Sequence, residues 1–146
     1  MREKKKEIAA KVKPALLCLL FLILVAIPAL SVSCVGQVPT YADATPKEAS
    51  EMISQQEAIV LDVRTQQEYN SGYIADALLI PLSELESRLD ELNPSEHILV
   101  YCRSGHRSRE AAWILVAHGF THVYNIEGGI VQWQDQGFPI QGTPCN

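Results

Sequence analysis

Four short apolar runs constrain this chain more than any other feature: residues 58–63 (AIVLDV), 77–80 (ALLI), 97–101 (HILVY) and 123–126 (VYNI). Each has the length of a strand, and the nearly unbroken apolar character of the first suits burial on both faces. The segments between them carry helix signals. Thr45-Pro46-Lys47-Glu48 combines a Thr N-cap, a Pro in the first turn and a Glu completing a capping box, which predicts a helix to about Gln55. Thr65-Gln66-Gln67-Glu68 repeats the box and predicts a short helix stopped by Gly72. Ser83-Glu84-Leu85-Glu86 opens a third, with Leu82, Leu85, Leu89 and Leu92 at amphipathic spacing and an end before Pro94. Residues 108–118 give a fourth, capped by Ser108 and stopped by Gly119, with Ala111, Ala112, Leu115 and Val116 as its apolar face. After the turn Glu127-Gly128-Gly129, residues 130–136 form a terminal helix holding Trp133 in the core. Strands alternating with helices at this spacing build βαβ units. The expected class is therefore α/β, a three-layer fold with a mainly parallel central sheet and helices on both faces.

The first forty residues stand apart. Residues 1–13 hold six of the twelve Lys and Arg and two of the seventeen Asp and Glu, so the rest of the chain carries a formal net charge of −9. Such a domain repels nucleic acid and anionic lipid, and neither is an expected partner. Residues 14–42 have no charge, and 15–30 are almost wholly aliphatic. A basic stretch, an apolar segment and then small residues have the layout of a secretory signal. Residues 1–34 are expected to act as a signal peptide cleaved after Ser33, as a lipoprotein signal with lipidation of Cys34, or as an uncleaved membrane anchor. All three place the domain outside the cytoplasm, in the periplasm or at the cell surface, and the last two tether it to the membrane. Residues 35–44, with Gly36, Pro39 and Asp43, read as a linker, leaving 45–142 as the domain.

Two of the four cysteines, Cys18 and Cys34, fall in the N-terminal segment, so the domain has Cys102 and, near the end, Cys145. There is no disulfide scaffold and no Cys/His metal spacing. Cys102 ends a strand and opens the run Cys102-Arg103-Ser104-Gly105-His106-Arg107-Ser108 before a helix, where ligands of open α/β sheets bind. A loop of this kind can turn successive N–H groups around the sulfur, and the helix N-terminus adds partial positive charge. Three of the six basic residues outside residues 1–13, Arg103, Arg107 and Arg109, cluster here. Moving a thiol from about 8.5 to about 6.5 takes about 2.7 kcal/mol, within reach of these terms together. An inert buried Cys needs no such surroundings.

The stretch from about Thr45 to Gly142 resembles a single-domain rhodanese. The resemblance rests on Asp62-Val63-Arg64 with Glu68-Tyr69, on Gly72-Tyr73-Ile74 before Ala77, on residues 101–108 and on Glu127-Gly128-Gly129 with Trp133, in that order. Tyr73 and Asp76 stand where family members often have His and Gly. The resemblance implies a sulfurtransferase whose Cys102 thiolate takes the outer sulfur of a small anion such as thiosulfate as a persulfide and passes it to cyanide or a thiol acceptor. It implies that backbone N–H groups from Arg103 through Ser104, Gly105 and His106 to Arg107 hold the persulfide, with Arg103 and Arg107 attracting the donor. It implies no metal or organic cofactor. Asp62 and Arg64 are expected as a supporting ion pair or hydrogen-bond network at the sheet edge, Arg109 facing solvent or a neighbouring partner one helical turn in, and Cys145 as a free tail thiol.

Three rival readings follow from the same residues. A cysteine-dependent phosphatase needs an Arg six positions after the Cys to grip phosphate bidentately, and that position is Ser108. A non-catalytic rhodanese-like binding module has no need of the Cys or the basic loop. A persulfide carrier shares the first half-reaction and hands its sulfur to a protein partner.

Overall fold

The computed structural model describes residues 40–142. The order along the chain is β1 (Ala42–Ala44), α1 (Pro46–Ser54), β2 (Ala58–Asp62), α2 (Gln66–Asn70), β3 (Leu78–Leu79), a 3-10 segment (Leu85–Glu91), β4 (His97–Tyr101), α3 (His106–Ala117), β5 (His122–Ile126) and α4 (Gly129–Asp135). The strands form one sheet in the order β1-β5-β4-β2-β3. Every pairing is parallel. The expected α/β class and parallel sheet are thus present, with β4 at the centre.

Strand parity decides which layer each residue joins. Ile98, Val100 and Cys102 point to one face, where Ala111, Ala112, Leu115 and Val116 of α3, Leu85 of the 3-10 segment and Leu92 just after it cover them. Leu99 and Tyr101 point to the other, against Ala49 of α1 and Ile130 and Trp133 of α4. Cys102 therefore leaves β4 on the α3 side, directly beneath the N-terminus of that helix. Both Thr capping boxes form: the Thr45 and Thr65 hydroxyls accept from the Glu48 and Glu68 amides, and each Glu carboxylate accepts from its Thr.

Four expectations need correction. Residues 42–44, read as part of a linker, form an edge strand in register with Tyr124 to Ile126; three residues are too few to carry a period that sequence could display. The strand expected over 77–80 shrinks to Leu78–Leu79. The third helix is 3-10 and breaks at Arg88 (φ −125°, ψ 20°), with no side-chain cap at its start. Its leucine face still packs as expected, because Leu85 and Leu92 are buried. Finally, α3 begins at His106 with Gly105 as N-cap, so Ser108 is an interior helical residue and caps nothing. Asp76 takes φ +59°, a left-handed conformation that Asp tolerates better than most side chains, which accounts for a family glycine position accepting it.

The end of β2 is fixed by a buried ion pair. Arg64 grips Asp62 through Nε and Nη2 at 2.6–3.0 Å, donates to the Gly72 carbonyl at 2.8 Å and lies 5.4 Å over the Tyr101 ring. Burial works against the Arg64 charge, but Asp62 more than restores it. Because the Asp62 carboxylate is fully buried, Arg64→Ala leaves an unpaired charge in the core. The expected loss is about 3–5 kcal/mol. Urea denaturation of the two proteins checks it.

Candidate functional site

Cys102 sits at the carboxyl end of the central strand, and the loop after it closes over its sulfur. The Gly105 N–H donates to Sγ at 3.2 Å. Gly105 itself has φ +92°, a conformation that strains any other residue at this point in the turn. Burial pushes the thiol up, while the Ser108 hydroxyl, when its proton is turned to the sulfur, and the Ser108, Ser104 and Gly105 amides favour the thiolate. With all of these donors on the sulfur the balance lies below the ordinary cysteine value. The side chain is 1% exposed, so the sulfur is a sheltered group whose anion is held by fixed dipoles.

The loop's other side is held by α4. The Ile130 N–H donates to the Cys102 carbonyl at 2.9 Å and the Val131 N–H to the Arg103 carbonyl at 3.2 Å. This contact requires Gly129, at φ +58°, because a Cβ there would lie inside contact distance of the Cys102 carbonyl oxygen and the Arg103 carbonyl carbon. Glu127-Gly128-Gly129, expected as a turn, thus has the further task of letting a helix N-terminus reach the loop backbone.

The arginines divide. Arg107 makes two hydrogen bonds to the Glu68 carboxylate, at 2.7 and 2.8 Å, and is committed to it. Glu68 and, more weakly, the nearby Cys102 hold the Arg107 charge firmly in place against burial. Arg103 and Arg109 are exposed and make no ion pair among the described residues. Ser104 and His106 are exposed as well. A cleft of about 280 Å³ opens beside the loop, lined among others by Arg64, Glu68, Gly72, Arg103, Ile130 and Val131. Cys102 does not line it.

Ser108 is fully buried, 3.6 Å from Cys102 Sγ and 2.6 Å from Asn125 Oδ1. Asn125 was not picked out from the sequence. Its only signal was a polar residue at an interior position of β5, with the parity of the buried Val123. Asp62 and Arg64 form the pair described above. Among the described residues no group of His, Cys, Asp and Glu could hold a metal ion. Cys34, the N-terminal segment 1–34, Cys18 and Cys145 lie outside the described residues.

The family model of the rhodanese-like domain matches residues 45–136. A sulfurtransferase of Allochromatium vinosum is 36% identical over 96 residues, covering 62% of this chain and 90% of the relative. The thiosulfate sulfurtransferase GlpE of Actinobacillus pleuropneumoniae is 32% identical over 102 residues, covering 70% of this chain and 94% of the relative. A solved rhodanese-related protein from Thermoplasma volcanium matches with a TM-score of 0.66 at 32% identity, over 70% of this chain and 99% of that one.

The Glu68–Arg107 pair gives the site a pH dependence. Arg107 first, and then the Thr65 amide and hydroxyl, hold Glu68 at about 2 against an ordinary 4.5, with burial opposing them. A depressed carboxylate stabilises the fold fully above its ordinary value and loses that contribution as pH falls toward its folded one. Wild type is therefore expected to exceed Glu68→Gln in urea midpoint above about pH 5, with the difference closing between 4.5 and about 2. The margin is salt-sensitive, because the pair is partly exposed.

Proposed function

Given that this chain belongs to the rhodanese-like domain family, with sulfurtransferases among its relatives, we propose that it moves sulfane sulfur through a persulfide on Cys102. The observation that carries this reading is the backbone N–H of Gly105 on the Cys102 sulfur, inside a loop whose amides favour its anion.

The reaction has two balanced halves. The Cys102 thiolate attacks the outer sulfur of a donor such as thiosulfate; the new S–S bond forms as the donor's S–S bond breaks, and sulfite leaves with the electron pair. The Cys102 persulfide then gives its outer sulfur to a nucleophilic acceptor. Cyanide leaves as thiocyanate, a thiol leaves as a persulfide, and the Cys102 thiolate returns. Arg103, exposed at the cleft, attracts the anionic donor. Arg107 acts on the site from its bridge to Glu68. Fixed amide dipoles suit both halves, since neither half needs them to reorganise as charge moves between sulfurs.

The phosphatase reading fares badly on this geometry. A buried serine stands where the phosphate-gripping arginine would be, and the nearest guanidinium is spent on Glu68. A persulfide carrier differs only in its acceptor. The basic residues before the uncharged stretch of residues 14–42 support an extracytoplasmic, membrane-tethered placement of the domain.

Intact-mass measurement after incubation with thiosulfate tests the chemistry. Wild type is expected to gain one sulfur atom that cyanide removes, and Cys102→Ser to gain none. No gain with thiosulfate or polysulfide would leave the binding module as the better reading. Membrane fractionation of Cys34→Ser tests the tether: release of the variant supports lipidation, retention supports an uncleaved anchor, and a wild type found wholly soluble removes the tether.

A further inference from the structure

A line of polar side chains runs from the sulfur through the core to the edge of the sheet. Ser108 Oγ lies 3.6 Å from Cys102 Sγ and 2.6 Å from Asn125 Oδ1, and Asn125 Nδ2 lies 2.6 Å from Asp43 Oδ1 on β1. Ser108 and Asn125 are 0% and 1% exposed, so water does not compete for these contacts.

Counting protons fixes the direction of the line. An ionised carboxylate only accepts, so Asp43 takes an N–H from Asn125 and turns the amide oxygen toward Ser108. That oxygen also only accepts. Ser108 has one proton, and the 2.6 Å contact to Asn125 claims it over the 3.6 Å contact to sulfur. The hydroxyl therefore presents a lone pair to Cys102, which can accept from the thiol S–H but cannot donate to the thiolate. We propose that Asp43 and Asn125 are positioning residues that, through the direction of the Ser108 hydroxyl, set how much of Cys102 is thiolate.

Two opposed influences then meet at one sulfur. The loop amides favour its anion, and the Asp43–Asn125–Ser108 line favours its proton. The other charges near Cys102 have partners of their own: Arg107 of α3, which also faces the sulfur, is paired with Glu68 of α2, Asp62 at the end of β2 with Arg64, and Arg103 is in solvent. Among the described residues, Asp43 is the one carboxylate joined to the sulfur by hydrogen bonds through buried side chains. The consequence for catalysis rests on the persulfide reading above; the proton count does not.

Asp43→Asn separates the two influences. Its neutral amide can donate to Asn125 Oδ1, which lets that amide turn over, donate to Ser108 and free the hydroxyl proton for the sulfur. In the full-length chain, the pH dependence of iodoacetamide alkylation, read at Cys102 by peptide mass spectrometry, is expected to shift downward by about one unit. That is about tenfold more thiolate at a pH below both midpoints. In a Ser108→Ala background the same substitution is expected to move the midpoint little. An unchanged or raised midpoint in Asp43→Asn overturns the proposal. So does a shift that persists undiminished without the Ser108 hydroxyl, since that would be the bare field of the lost charge. Asp43→Ala serves as the second variant, with the same outcomes. Alkylation needs no sulfur donor, so this result stands apart from the persulfide measurement.

Discussion

The site depends on where two carbonyls point. In a trans peptide the C=O and the following N–H lie on opposite sides of the chain. Fastening the Arg103 carbonyl to the Val131 N–H therefore turns the Ser104 N–H the other way, toward the sulfur, and the Cys102 carbonyl is fastened in the same manner by Ile130. A loop free to rotate those peptides would lose the inward set of amides to water. The helix that does the fastening follows β5, so the chemistry at the end of β4 is set up by the last element of the fold. The first element joins it through Asp43.

Most of the scaffold could be read from local pattern, because strand length, capping boxes and apolar spacing are local properties. His97–Tyr101 coincides with its expected strand, and both Thr–Glu boxes form. The misses share a cause. Residues 42–44 become a strand only through pairing with β5, 80 or so residues away in sequence. Ser108 looked like a cap because Ser favours that position and the basic loop preceded it, but Gly105 can take the left-handed turn that starts the helix earlier. Moving the cap back by three positions, from Ser108 to Gly105, carries Ser108 inward, into the core beside Cys102. The loop after Cys102 was legible as a run of residues. Its electrostatics were not, because Glu68 captures Arg107 across 39 positions and Asn125 meets Ser108 across 17.

The domain's charges are arranged to leave the sulfur its own surroundings. Asp62 and Arg64 neutralise one another where β2 ends, and Arg107 is turned onto Glu68. The anion on sulfur is answered by amide dipoles and by Arg107, whose charge Glu68 shares.

Gly129 shows what such closeness costs in heritable terms. Every single-base change that alters a glycine codon's meaning either adds a Cβ or ends the chain, and here a Cβ has no room against the backbone of Cys102 and Arg103. The position cannot drift by small steps while the loop stays where it is. A lineage that loses this glycine has to find another path for the chain around its sulfur, and the two changes would have to arrive together.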